Sequence, residues 1–182
     1  MLALLDRDGV LNEDRTDFVK HPGELVMITG SAAAVARLNA AGWLVAICTN
    51  QSCIGRGIID EAMLDRIHNR LRDELQLHGA HVDRIYFAPD APWQSTDRRK
   101  PNPGMLRQAM ADVRHEPDQA VMIGDALRDL QAAQAAGCRR ILVRTGLGQA
   151  TLAKGLPSTV LPVTVRESLV DAVDFLLAEP TA

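Results

Sequence analysis

The sequence predicts a three-layer, Rossmann-like α/β fold: a central, mostly parallel sheet with helices on both faces. Two observations predict it. Short apolar runs alternate with longer segments of helical period, the pattern of strand–helix–strand crossover units. Acidic and polar residues stand directly after several of those runs, at the strand ends where ligands of open α/β sheets bind. The 182-residue length fits one domain, residues 1–182, and no linker-like stretch divides it.

Each element has its own signal. Residues 2–5 are a short apolar run that reads as a buried strand. Residues 31–41 form an Ala-rich helix opened by Ser31 and stopped by Gly42. Residues 44–48 are the second strand. Residues 60–78 place Met63, Ile67, Leu71 and Leu75 on one helical face, and Gly79 closes them. Residues 82–87 are the third strand, and 88–102, rich in Pro and polar residues, a loop. Residues 103–113 are a helix with Pro103 in its first turn. Residues 120–123 are the fourth strand, 126–136 a helix ended by Gly137, and 141–143 the fifth strand. Residues 159–163 offer a sixth strand that Pro162 confines to a sheet edge. Residues 166–177 are expected to be the final helix.

Composition narrows the function. A chain 47% hydrophobic and 24% charged can bury a core, and a net charge of −3 gives no basic footprint for nucleic acid. Cys48, Cys53 and Cys138 make an odd count without metal-ligand spacing, which argues against a disulfide framework and fits a reducing compartment. Met1 leads straight into the first strand, and no apolar run reaches the roughly 20 residues of a membrane span. The expectation is a cytoplasmic monomer with neither a nucleic-acid nor a membrane partner. The five histidines fall in no catalytic or metal spacing; His68 and His78 are expected at the surface or partly packed. Trp43 and Trp93 are read as core and loop packing, and Gly146-Leu147-Gly148 as a loop near the site's rim.

The chemistry-bearing residues cluster at the strand ends. Asp6 and Asp8 follow the first strand, and residues two apart in extended chain point the same way. Thr49, Asn50 and Gln51 follow the second strand and can donate hydrogen bonds to a phosphate. Asp125 ends the fourth strand, and Asp129 lies about one helical turn further on. In the run Arg98-Arg99-Lys100-Pro101, proline stiffens the loop and can aim Lys100 inward. Taken singly, each is as well explained by a turn or a helix cap. Together, three carboxylates in one pocket raise one another's pKa, and a divalent cation relieves them. An all-oxygen ligand set suits magnesium. Lys100 adds positive charge for phosphoryl oxygens.

These motifs resemble the haloacid dehalogenase (HAD) superfamily of phosphatases: Asp6-Arg7-Asp8-Gly9-Val10-Leu11-Asn12, then Thr49, then Lys100, then Gly124-Asp125 with Asp129. Thr49-Asn50-Gln51-Ser52, Gly55-Arg56-Gly57, Arg99-Lys100-Pro101 and Val143-Arg144-Thr145-Gly146 are similar, more narrowly, to the heptose-1,7-bisphosphate and histidinol-phosphate phosphatase branch. The likeness runs from about Met1 to Gly148 and leaves no room for a large cap domain. It implies that Asp6 is the nucleophile, forming an aspartyl-phosphate, and that Asp8 is the general acid/base. It further implies that Thr49 and Lys100 hold the phosphoryl group, while Asp6, the Asp8 carbonyl and Asp125 hold Mg2+. Asp129 then orients water or Lys100. Asn50, Gln51, Ser52, Arg56 and Arg99 are the implied substrate-binding residues. The implied reaction is removal of the 7-phosphate from D-glycero-D-manno-heptose 1,7-bisphosphate on the way to ADP-heptose and lipopolysaccharide core, with histidinol phosphate or another small sugar phosphate as the alternative substrate.

The chain departs from the family pattern at three places. The Cys and His ligands of the structural zinc in many relatives are replaced by Ala88, Asp90, Thr96 and Arg98, so no zinc is expected. An Asp90–Arg98 ion pair is expected to pin the loop instead. Cys53 replaces a usual glycine, and Ala126 a frequent lysine, which removes a positive charge near the metal. Two readings from other classes are a degenerate, non-catalytic relative and a receiver-type signalling module. A receiver carries its acidic pair on the first strand and its phosphoacceptor on the third, unlike the order here.

Overall fold

The computed structural model describes residues 1–178. Six parallel strands form one sheet: β1 (Leu2–Leu5), β2 (Leu44–Asn50), β3 (Arg84–Ala88), β4 (Ala120–Gly124), β5 (Arg139–Val143) and β6 (Thr164–Arg166). Their order is β3-β2-β1-β4-β5-β6. The chain builds outward from β1 to β3, then returns to the other side of β1 and builds outward again. The direction of winding switches between β1 and β4, which places a ligand crevice at their carboxyl ends.

The period-2 alternation of β1 decides which helices cover which face. Ala3 and Leu5 point into a layer with α1 (Ser31–Ala40), α3 (Glu61–Gln76) and α7 (Leu169–Ala178), through Leu38, Leu71 and Val173 among others. Leu2 and Leu4 point the other way, against Met105, Leu106 and Ala109 of α4 (Gly104–Asp112) and Ala132 and Ala133 of α5 (Leu127–Ala136). All four residues of β1 are fully buried. A strand covered on both faces needs this unbroken apolar run. The register pairs Leu5 with Ile47 on one side and Ile123 on the other, so Asp6, Thr49 and Asp125 all emerge at the same edge.

The α/β sandwich is the expected one, with local differences. β2 runs two residues beyond the expected end, so Thr49 and Asn50 still belong to the strand. Two short helices were not foreseen, α2 (Ser52–Gly55) and α6 (Gly148–Ala153). Ser31 does not cap α1: Gly30 takes the cap position, and the Ser31 hydroxyl donates to the Leu11 carbonyl at 2.7 Å, tying the helix to the loop after β1. The expected strand at 159–163 is wrong. Residues Ser158–Val160 make a 3-10 turn, and the edge strand begins after Pro162, at Thr164. The last helix starts at Leu169, not 166, because Arg166 is still paired with Val143. His68 is also misplaced by the sequence reading: it is buried in α3.

Candidate active site

The loop leaving β1 wraps around the Asp8 carboxylate. Arg7, itself buried, reaches Asp8 with Nε at 3.2 Å and Nη2 at 3.0 Å to both oxygens. Asn12 Nδ2 donates to Asp8 Oδ1 at 2.8 Å and Gln51 Nε2 to Oδ2 at 2.9 Å. Burial alone would raise the Asp8 pKa, but the Arg7 charge and these donors outweigh it and hold the group below its ordinary value. His68 braces the far side of Arg7, its Nε2 lying 3.4 Å from Arg7 Nη1. Burial, with Arg7 and Arg72 nearby, pushes the His68 pKa down to about 3, so the ring is neutral and its free nitrogen accepts the Arg7 N–H.

Asp6 stands beside this group with a different set of partners. Its Oδ1 accepts from the Arg7 backbone N–H at 2.8 Å, and its Oδ2 lies 3.0 Å from Lys100 Nζ. Lys100 also reaches Asp129 Oδ1 at 2.6 Å, and all three side chains are buried. Asn50 sets the position of Lys100 by gripping its backbone: Asn50 Nδ2 donates to the Lys100 carbonyl at 2.9 Å, and the Lys100 N–H donates to Oδ1 at 3.0 Å. Asp129, on the first turn of α5, accepts from the Ala126 N–H at 2.9 Å. It fits there because residue 124 is glycine; a Cβ at that point would lie 2.3 Å from the Asp129 Cβ.

Asp125 completes the acidic cluster, and one oxygen from each of Asp6, Asp125 and Asp129 falls within 4.8 Å of the others. Asp125 Oδ2 accepts from the Leu147 N–H at 2.8 Å, whereas Oδ1 is buried with no hydrogen-bond partner. Burial, then the charges of Asp6 and Asp129, push the Asp125 pKa up to about 8. Asp6 rises to about 6, chiefly through burial, with Lys100 pulling the other way. Gly9 belongs to the same arrangement: its φ is +80°, and a Cβ there would meet Asp125 Oδ2 at 2.0 Å. Orphaned carboxylate oxygen, mutual repulsion and all-oxygen donors fit a hard divalent cation.

Residues 97–172 match the HAD-hydrolase-like family. The chain is 44% identical to the D-glycero-beta-D-manno-heptose-1,7-bisphosphate 7-phosphatase of Pseudomonas aeruginosa over 160 residues, covering 88% of this chain and 90% of that one. It is 44% identical to the enzyme of the same name from Bordetella bronchiseptica, covering 98% of both. The crystal structure of the D,D-heptose 1.7-bisphosphate phosphatase from B. bronchiseptica, complexed with magnesium and phosphate, superposes with a TM-score of 0.93 at 43% identity, over 98% of this chain and 99% of that chain. The chain belongs to the HAD-like phosphatase family. That membership sets aside the receiver-type reading, and the Asp6–Asp8 pair of this HAD site lies on the loop after β1 with Asp125 after β4, as the motif order implied.

The HAD cleft holds about 370 Å³ and opens over Asp6 and Asp8. Asn50, Ser52 and Arg99 are among the residues that line it. Thr49 and Lys100 lie buried behind Asp6 and Asp8. Thr49 Oγ1 accepts from Gln51 Nε2 at 2.9 Å, which leaves its own hydrogen to donate. Three expected substrate residues are engaged within the protein, the Asn50 amide through the Lys100 backbone as above. The Gln51 amide is committed to Asp8, Thr49 and Arg7. The Arg56 guanidinium stacks between Phe18, at 5.9 Å, and Trp93, at 4.9 Å, joining the loop after β1 to the loop after β3. The Asp90–Arg98 ion pair is not formed. Asp90 accepts from Thr96 Oγ1 at 2.9 Å, while Arg98 donates to the Phe87 carbonyl at 3.1 Å and Gln108 Oε1 at 2.7 Å, because it turns back along β3 rather than across the loop.

Sequence reasoning missed Arg7, Asn12, Asp14 and Arg128. Arg7 and Asn12 were visible within the motif after the first strand. Arg128 stands on the first turn of α5, three residues beyond Asp125 and next to Asp129 in sequence, a placement that marks it as a neighbour of the acidic cluster.

Proposed function

We propose that this chain removes the 7-phosphate of D-glycero-β-D-manno-heptose 1,7-bisphosphate through a phosphorylated Asp6, with Mg2+ bound. The observation that carries the reading is the Asp6–Lys100–Asp129 triad facing Asp125 in a chain 44% identical to enzymes of that name. Asp6, the Asp8 carbonyl and Asp125 would hold the metal. Bound there, it supplies positive charge for the phosphoryl oxygens and for the crowded carboxylates.

The chain's own residues perform the steps. Lys100 draws the Asp6 pKa down from where burial would leave it, which keeps the nucleophile ionised. An Asp6 oxygen attacks phosphorus, and the bond from phosphorus to the sugar O7 breaks. Asp8 gives its proton to O7; the anionic phosphoryl group beside it raises the Asp8 pKa from its low resting value. Asp8, now a carboxylate, takes a proton from water as that water attacks the aspartyl-phosphate. Inorganic phosphate leaves and Asp6 is restored. Arg7, Gln51 and Asn12 fix Asp8 throughout. Thr49 donates to the phosphoryl oxygens. All these groups come from one chain, so the steps above need no residue from a second copy, and we read the catalyst as a monomeric single domain whose loops supply what a cap would. The three free, buried cysteines support a reducing, cytoplasmic setting.

Phosphate release from heptose 1,7-bisphosphate, histidinol phosphate and simple hexose phosphates, each with magnesium, tests the substrate. The heptose bisphosphate is expected to give the highest kcat/KM, by at least about tenfold. A higher value for histidinol phosphate would replace the substrate assignment and leave the mechanism in place.

A further inference from the structure

The cations of the cleft are not equally matched. Arg7 is held by Asp8, Lys100 by Asp6 and Asp129, and Arg15 by Asp17. Arg128 differs. It stands on the first turn of α5, half-buried between Asp125 and Asp129 in sequence. Its Nε is shut off from solvent with no acceptor, and among the described residues it makes no ion pair. A guanidinium stays charged and offers five donors; Asp129, Asp6, Asp125 and Asp14 favour the Arg128 charge through space, but none of them accepts a hydrogen bond from it, so its donors remain to be matched by an anion.

Arg128 and Leu147 form the partition between the catalytic cleft and a neighbouring cavity of about 280 Å³. In the cleft Arg128 shares the wall with Arg99, whose Nη1 donates only to the Asp90 carbonyl, at 2.9 Å. Burial and the Arg128 charge together lower the Arg99 pKa, as two guanidinium groups do when no anion sits between them. A charge count points the same way. Asp8 is offset by Arg7 and Asp129 by Lys100, and a divalent cation offsets Asp6 and Asp125. Arg99 and Arg128 remain, against Asp14, whose carboxyl is pushed toward the neutral form by burial and by Asp8. Ala126 has no charge to contribute, and Arg128 supplies one from the same helical turn.

We propose that Arg99 and Arg128 together clamp the substrate phosphate that is not transferred, which makes Arg128 a residue that selects a bisphosphate over a monophosphate. The inference rests on the substrate reading above. Its test compares kcat/KM for heptose 1,7-bisphosphate with that for the 7-monophosphate of the same sugar, in wild type, Arg128→Ala, Arg128→Gln and Arg128→Lys. Loss of a charge-assisted hydrogen bond lowers the bisphosphate-to-monophosphate ratio by about 10- to 100-fold, mostly through KM. Arg128→Lys recovers part of it, since lysine keeps the charge without the planar fork. If Arg128→Ala does not fold by circular dichroism, Arg128→Gln carries the comparison. A wild-type ratio in a folded variant overturns the clamp, and so does weakened magnesium binding with the ratio held. A wild type that hydrolyses neither sugar phosphate is a different failure, seen before any variant is made, and overturns the substrate reading on which the clamp stands.

Discussion

The Lys100 ammonium lies 2.6 Å from the Asp129 carboxylate, and neither side chain reaches solvent. Burial works against both charges, yet each holds the other ionised: the Lys100 pKa is raised by Asp129 and Asp6, and the Asp129 pKa is lowered by Lys100 and Arg128. Removing one partner leaves the other charged, buried and less well matched. Asp129→Asn is therefore expected to cost about 3–5 kcal/mol of stability by urea denaturation. It should also lower kcat, because Lys100 loses the contact that aims it at Asp6. A variant with wild-type stability would show that the pair is solvated in solution.

Acid sensitivity should be traceable to His68. Its pKa is about 3 when folded against an ordinary 6.5. The unfolded chain thus binds a proton that the folded chain refuses, so stability is full above 6.5 and is lost as pH falls toward 3. Near pH 5 the loss from this one group is about 2 kcal/mol. His68→Gln keeps an acceptor for Arg7 and cannot titrate, so its stability curve between about pH 6.5 and pH 4 should be flatter than that of wild type. Parallel curves would contradict the assignment.

Gly9 is expected to tolerate no side chain. Its φ is +80°, and the Asp125 carboxylate lies 2.0 Å from where a Cβ would sit, so Gly9→Ala must displace Asp125 or the loop after β1. Wild type should gain thermal stability on adding magnesium, by mass action on the folded state. Gly9→Ala should show little of that gain in the same thermal melts and lose most of its phosphatase activity.

The three thiols should be silent in the native state. Burial pushes Cys48 up to about 12 and Cys138 to about 11, and Cys53 is also raised. Thiolate is the reactive form. A thiol-reactive dye should label none of the three until denaturant is added, when all three react at once.

The fold was legible where burial wrote a pattern into the chain. Leu2–Leu5 and Ala120–Gly124 are apolar throughout because helices cover both faces of the sheet there. The pattern fails at the edge. β6 is three residues long and half-covered, so Thr164–Arg166 carries no apolar run, while the β-branched residues just before Pro162 suggest a strand that does not form. The site was legible as far as residue type decides chemistry: Asp6, Asp125 and Asp129 gather, Lys100 reaches Asp6 and Asp129, and Asp8 lines the cleft beside Asp6. What sequence did not show is which way side chains turn. Gln51 faces inward to brace Asp8, Arg56 stacks between Phe18 and Trp93, and the buried Arg128 Nε has no acceptor among the described residues. A lone arginine on a helix reads as a solvated one until its neighbours are known.

The measurement closest to the central claim is acid-quenched single turnover of heptose 1,7-bisphosphate with magnesium, followed by mass analysis of the peptide that contains Asp6. The expected result is a transient gain of one phosphoryl group on Asp6 that decays as phosphate appears, with no gain or turnover in Asp6→Asn. Rapid phosphate release by Asp6→Asn, or a phosphoryl group found on another residue, would contradict it.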